Sequence, residues 1–315
     1  MDISRKLRSF VVLAGILGLA LPASAQFATA WVVPAAAHTP GVGSTYWMTD
    51  LSIHNPQFDP LPVRIFFLPT GQDNSTAPEM DLEIEPWETY NLWDVLGEYG
   101  FDAEGTGAFL IVTDSSRIHC DSEDDCSFFV TSRTYTPDPG SAAGEYGQGI
   151  PGFTAAEGLD VASYAFALGI LNDGDTFRTN VGAASWTPAW TTVGYDVQDA
   201  QGNVVDSVEF DVPPFGHVQH RLAEPVMGGT VVFYIVDGPD NALVFPYASV
   251  VSQETGDPTF MQARAVPLWF GKSAAGVGRP AEDPTARPLP RCSHTVLPPA
   301  RAAEAGRPLP GTPVD

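Results

Sequence analysis

The chain is 315 residues long, 44% hydrophobic and 17% charged, with a formal net charge of −23. That length exceeds one typical domain and suits two ordinary cores. Lys occurs only at positions 6 and 272, and between Phe27 and Phe270 six Arg stand against 33 Asp plus Glu, a balance that repels nucleic-acid phosphates and anionic lipid and favours solubility or cation binding.

Residues 1–25 read as a secretory signal. Arg5, Lys6 and Arg8 form a basic head. Residues 10–21 are an apolar run too short to span a bilayer, and Ala23-Ser24-Ala25 is a small-residue cleavage site. No later segment is long and apolar enough to cross a membrane. A secreted or periplasmic protein with no membrane span is expected.

Residues 27–152 and 153–268 read as two copies of one β domain. The stretch Trp47-Met48-Thr49-Asp50 opens an alternating run to Asn55, and Phe177-Arg178-Thr179-Asn180 opens its echo to Ser185, 130 positions later. Val63 to Phe67 pair with Val193 to Val197 at the same offset. Pro86-Trp87 pairs with Pro214-Phe215 at 128, residues 110–114 with 233–237 at 123, and residues 132–135 with 247–250 at 115. Offsets that step down between strands mark loop-length differences. The last step places an eight-residue insertion in copy one, on the segment holding Cys120 and Cys126.

Strand signals fill both copies. Copy one opens on Trp31-Val32-Val33-Pro34 and copy two on residues 164–168. Residues 81–85 and 208–212 alternate polar and apolar, as half-wet antiparallel strands do. Residues 109–112 and 231–236 are continuous apolar runs that fit central strands covered on both faces. Turn residues separate them at 69–71, 199–203 and 239–241. Only residues 92–99 look helical, with a shorter counterpart at 219–224. The expected architecture is all-β, two tandem Ig-like antiparallel β-sandwiches. Residues 269–315, rich in Pro, Ala, Gly and Arg, are expected to be a disordered tail.

The Trp/Phe-x-Thr-Asp/Asn motif with its alternating strand resembles a group of uncharacterised bacterial secreted proteins. So do Thr131-Ser132-Arg133-Thr134-Tyr135, Gly147-Gln148-Gly149-Ile150-Pro151, Tyr247-Ala248-Ser249-Val250-Val251 and Thr255-Gly256-Asp257-Pro258-Thr259-Phe260. The likeness covers residues 30 to 262. It implies two tandem Ig-like sandwiches behind a signal peptide and carries no catalytic residues with it. The Cys-bracketed loop and the tail depart from the pattern.

Cys120 and Cys126 bracket Asp121, Glu123, Asp124 and Asp125. In an exported chain two Cys this close predict a disulfide, here clipping a hairpin tip, and leave Cys292 over. The four carboxylates are either a Ca²⁺ site or a solvated turn, and their spacing is not that of an EF-hand. Asn172-Asp173-Gly174-Asp175 offers the same two readings. His217 and His220, three apart in an extended segment, point to opposite faces. Arg133 and Arg178 are expected to be salt-bridge partners, with a ligand-reading Arg as the other choice. Trp87, Tyr90 and Trp93 follow one strand end, and Trp186 and Trp190 flank Pro188. Such rings either stack on sugars and anchor interfaces or pack a core. The match of Trp87 to Phe215 favours packing there.

The chain carries no Gly-x-Ser-x-Gly elbow, no His-Glu-x-x-His and no phosphate-cradling glycine loop, so no catalytic residue is assigned. The expectation is a secreted, non-enzymatic binding or structural surface protein without a cofactor, Ca²⁺ aside. Its partner is a protein or a polysaccharide, not nucleic acid. The alternative is a carbohydrate-binding accessory module using the Trp clusters, with Ca²⁺ in the acidic loop.

Overall fold

The computed structural model describes residues 28–267, except 43, 123, 139 and 141–143. The signal expected over 1–25, the tail expected over 269–315 and Cys292 lie outside the described residues. Residues 28–267 belong to one compact unit.

Copy one is built from β1 (Ala30–Pro40), β2 (Tyr46–His54), β3 (Leu61–Pro69), β4 (Glu79–Ile84), β5 (Thr89–Leu92), β6 (Gly105–Thr113), β7 (Phe129–Pro137) and β8 (Glu145–Pro151). All pairings are antiparallel. One layer runs β4-β3-β6-β1 and the other β5-β2-β7-β8, joined at a corner where Thr39 faces Trp47 and Pro40 faces Tyr46. Alternation turns Val63, Ile65, Phe67, Phe109 and Ile111 inward from the first layer, against Leu51, Ile53, Val130 and Ile150 of the second. Each such side chain, once buried, contributes roughly 2 kcal/mol.

Copy two repeats this with every strand number raised by eight. β9 (Ser163–Asn172), β10 (Phe177–Ser185), β11 (Thr191–Gln198), β12 (Val204–Val212), β13 (His217–Arg221), β14 (Val226–Asp237), β15 (Val244–Ser252) and β16 (Pro258–Gln262) form the layers β12-β11-β14-β9 and β13-β10-β15-β16. β17 (Arg264–Pro267) adds an outer strand beside β9. In each copy the second strand neighbours the fifth and seventh, and the sixth lies between the first and the third, with the fourth beside the third.

The repeated motif has a structural cause. The Thr49 hydroxyl donates to the Ala37 carbonyl (3.0 Å), and the Thr179 hydroxyl to the Leu171 carbonyl (2.7 Å). Each fully buried Thr thus ties the second strand of its copy to the first across the corner. The insertion in copy one lies between β6 and β7, which fifteen residues join where six join β14 to β15.

Two expectations fail locally. Leu92 ends strand β5 and residues 93–99 form turns and a bend, not a helix, and half of the counterpart, residues 219–221, is strand β13. Pairing with β10 over five residue pairs overrides the local preference there. The apolar run of β14 is central in its sheet, yet Val236 on its outer face is 40% exposed, so only one face is fully covered.

A third apolar cluster joins the copies. Val32, Leu68 and Ala108 pack with Phe153, Ala184 and Phe245, and Trp186 and Phe215 close around them. Beside it, Asn74 Nδ2 donates to the Pro69 and Phe215 carbonyls and its backbone N–H to Pro214.

Candidate functional site: the cleft between the two sandwiches

β10 supplies the floor of the site. Its alternation sends Thr179, Val181 and Ala183 into the second core and Arg178, Asn180 and Gly182 out of the opposite face. The ladders set Asn180 beside Ser249 and Gly182 between Tyr247 and Gln219. A Cβ on Gly182 would come within 2.6 Å of the Tyr247 ring, so only glycine lets that ring lie over the strand.

Copy one supplies the walls. β1 pairs Val33 with Phe109 and then Ala36 with Gly107, a bulge at Pro34, which has no N–H to give the ladder. Past this bulge, residues 35–42 border the cleft together with Trp47 of β2 and Gln148 of β8. The enclosed volume is about 360 Å³.

A chain of hydrogen bonds crosses from one copy to the other under the cleft. Thr106 and Thr70 hydroxyls lie 2.8 Å apart, Thr70 Oγ1 is 2.7 Å from His217 Nδ1, and His217 Nε2 is 2.9 Å from the Tyr247 hydroxyl. That hydroxyl donates to Gln219 Oε1 at 2.7 Å. Donation therefore runs from Thr70 through His217, with its proton on Nε2, to Tyr247 and Gln219. Ser249 Oγ likewise donates to Gln148 Oε1 (3.0 Å). Burial pushes the His217 imidazole down to about 3 and raises the Tyr247 phenol well above its ordinary range. Both groups are neutral at pH 7.

Arg178 is the exception in this network. It is half-buried and lies on the cleft floor, yet no hydrogen bond or ion pair reaches its guanidinium among the described residues. Burial, and secondly the Arg221 cation, lower its pKa. The salt bridge expected for Arg178 is absent, because the outer face of β10 meets the uncharged wall of copy one. Arg133 does form its bridge, to Glu145 at 2.6 Å, and lies 4.6 Å over the Tyr135 ring.

The aromatic positions are dispersed. Trp87 occupies a turn at φ 62°, is 58% exposed and meets Phe58 edge-on at 5.3 Å. Its counterpart Phe215 keeps the same left-handed backbone, φ 47°, but packs into the inter-copy cluster. Trp93, on the far side of β5, is 71% exposed, while Tyr90 between them packs against the first core. Trp186 is spent on packing between the copies, and Trp190 is exposed. Neither Trp group forms one surface.

Cys120 and Cys126 are disulfide-bonded, Cα to Cα 5.7 Å, with Cys126 buried in the first core. Asp125 accepts from Ser122 through its backbone N–H and hydroxyl, and Asp121 faces His119. Asp124 opens a short 3₁₀ turn, and Glu123 lies outside the described residues. Among the described residues no three acidic, His or Cys groups converge on a metal position. Asp173 uses one oxygen to accept three backbone N–H groups at the β9–β10 tip, which makes it a hairpin cap and holds its carboxyl below the usual range. His217 and His220 do point to opposite faces: His220 Nε2 lies 2.8 Å from the Tyr195 hydroxyl, on the side of the second core.

Trp47, Asn180, Gln148 and Ser249 lie in motifs that the sequence marked as structural and not as binding residues, and Gln219 was marked only as the start of a short helix. The repeat contained a faint signal, since copy two replaces Met48 and Asp50 of the motif by Arg178 and Asn180. No protein-family model matches this chain, and no curated protein matches it at a significant level.

Proposed function

We propose that the chain is a secreted or periplasmic, non-enzymatic binding protein that takes a small ligand into the cleft between its sandwiches. One observation carries this reading: the cleft is lined by donors that meet no protein acceptor among the described residues, namely the Arg178 guanidinium, the Asn180 amide and Trp47 Nε1. Half-buried donors without a protein partner are satisfied by water, which a ligand in the cleft would displace by supplying acceptors. Burial moves the pKa values of His217 and Tyr247 under the cleft away from neutral pH, so neither of these two groups suits proton transfer there, which favours the non-enzymatic part of the reading. Export is supported by the basic head and apolar run of residues 1–25 and by the Cys120–Cys126 disulfide. No helix among the described residues is long and apolar enough to cross a membrane.

A second reading, a carbohydrate platform on the surface, is favoured by the exposed Phe58–Trp87 ring pair. A thermal-shift panel on the full chain separates the two, using neutral sugars, sugar acids, small carboxylates and amino acids. Saturable stabilisation that disappears in Asn180→Trp, which fills the cleft, supports the first reading. Stabilisation lost in Trp87→Ala instead moves the site to the platform. Chemical turnover of the bound compound would sink the non-enzymatic assignment.

A further inference from the structure

Resting on the cleft-binding reading above, we infer that the ligand is a small sugar acid whose single carboxylate is held by Arg178. The chain has 38 Asp plus Glu against 15 Lys plus Arg, so an arginine without an acidic partner is anomalous. Arg64 is bound by Asp81 and Asp114, Arg117 by Glu83 and Arg133 by Glu145. Arg221 and Arg264 lack such partners but are exposed and solvated. Among the described residues, Arg178 is the arginine that combines partial burial, a place in a cavity and no counter-ion. A cation partly withdrawn from water without a counter-charge favours an anion as its partner.

The number of charges and the shape of the donor follow from the same surroundings. One guanidinium offers two parallel N–H donors that match a planar carboxylate. A phosphate or sulfate would bring more charge or a tetrahedral face to a chain of net charge −23, and Arg221, opposite Asn180 on β13, is exposed and does not line the cleft. A single negative charge suits that field, which salt screens beyond about 8 Å.

The rest of the cleft fits hydroxyl groups. Gln219 and Gln148 have each committed the carbonyl oxygen to a protein hydroxyl, which leaves the NH₂ as the uncommitted end of both. Asn180 stands two residues from Arg178 on the same face, with its amide unspent. The Trp47 indole gives the wall a flat apolar body whose N–H meets no acceptor among the described residues. A volume of about 360 Å³ is at the small end for ligand pockets, which limits the ligand to mono- or disaccharide size.

The test is calorimetric titration of the full chain with D-galacturonate, D-glucuronate, D-galactose, acetate and sulfate. At least one uronate is expected to bind ten-fold or more tighter than galactose. Arg178→Gln should abolish that preference and Arg178→Lys should retain part of it. Because Arg178 makes no protein bond, Arg178→Gln should melt no lower than the wild-type chain, which keeps the variant interpretable. Galactose binding as tightly as the uronates, unchanged in Arg178→Gln, would overturn the acid but leave the cleft reading standing. Sulfate competing as well as uronate would overturn the sugar acid in favour of a general oxyanion site. If no compound of the wider panel binds in the cleft, both the inference and the reading beneath it fall.

Discussion

Acidification should unlock the junction between the copies through His217. Its imidazole is fully buried, with Nδ1 against Thr70 and Nε2 against Tyr247, and its pKa in the fold is about 3 against 6.5 in the unfolded chain. The unfolded chain therefore binds a proton between these values that the native protein refuses. The stability gained by keeping His217 neutral is whole above pH 6.5 and is lost as pH falls toward 3, at about 1.4 kcal/mol per unit. At pH 5 the loss is about 2 kcal/mol. The capped carboxylates Asp73, Asp114, Asp173 and Asp199 have lowered pKa values, so their contribution fails below about pH 4, outside this window. His220, half-buried and also pushed down, acts in the same window. It contributes equally to both curves when wild type is compared with His217→Gln, whose amide still reaches both hydroxyls. Urea unfolding followed by Trp fluorescence at pH 7.5, 6 and 5 measures the two slopes. The wild type should lose stability more steeply by about 1 kcal/mol per unit or more. Parallel curves between pH 7 and 5 would refute the assignment of His217 as a buried neutral residue.

Two other outcomes test the fold. Reducing Cys120–Cys126, or replacing both by Ser, should lower stability by about 2 kcal/mol, because so short a loop loses little entropy on closure; a melt with and without reductant reads it, and an unchanged melt would mean that the buried Cys126 side alone holds the loop. Trp186→Ala should cost about 3 kcal/mol by opening the inter-copy cluster, whereas Trp87→Ala should stay within about 0.5 kcal/mol; equal losses in denaturant titration would contradict the placement of one inside and one outside.

The strands were legible because alternation is a local property. Asp81 to Glu85 and Val208 to Asp211 alternate in the chain and in their exposure alike, and the threonine of the repeated motif sits in a corner bond in both copies. The segment 219–224 misled because its strand identity comes from β10, which lies about forty residues earlier. The cleft was hidden for a related reason. Alternation says which residues leave a core, and it is silent on whether they then meet water or another domain.

Sequence by itself determined the all-β class, the alternating strands such as 81–85 and 208–212, and the pairing of Cys120 with Cys126. These rest on periodicity and on short separations along the chain. Tertiary structure alone decided how the outer face of β10 meets copy one. That docking buries Phe215 while leaving its twin Trp87 in water, gives Trp186 to packing, and gathers Trp47, Gln148, Arg178 and Gln219 around one cavity. Trp47 and Gln219, 172 positions apart, border the same cavity through the apolar fit of Val32, Leu68, Phe153 and Phe245, a fit of shape between two surfaces that no local pattern records.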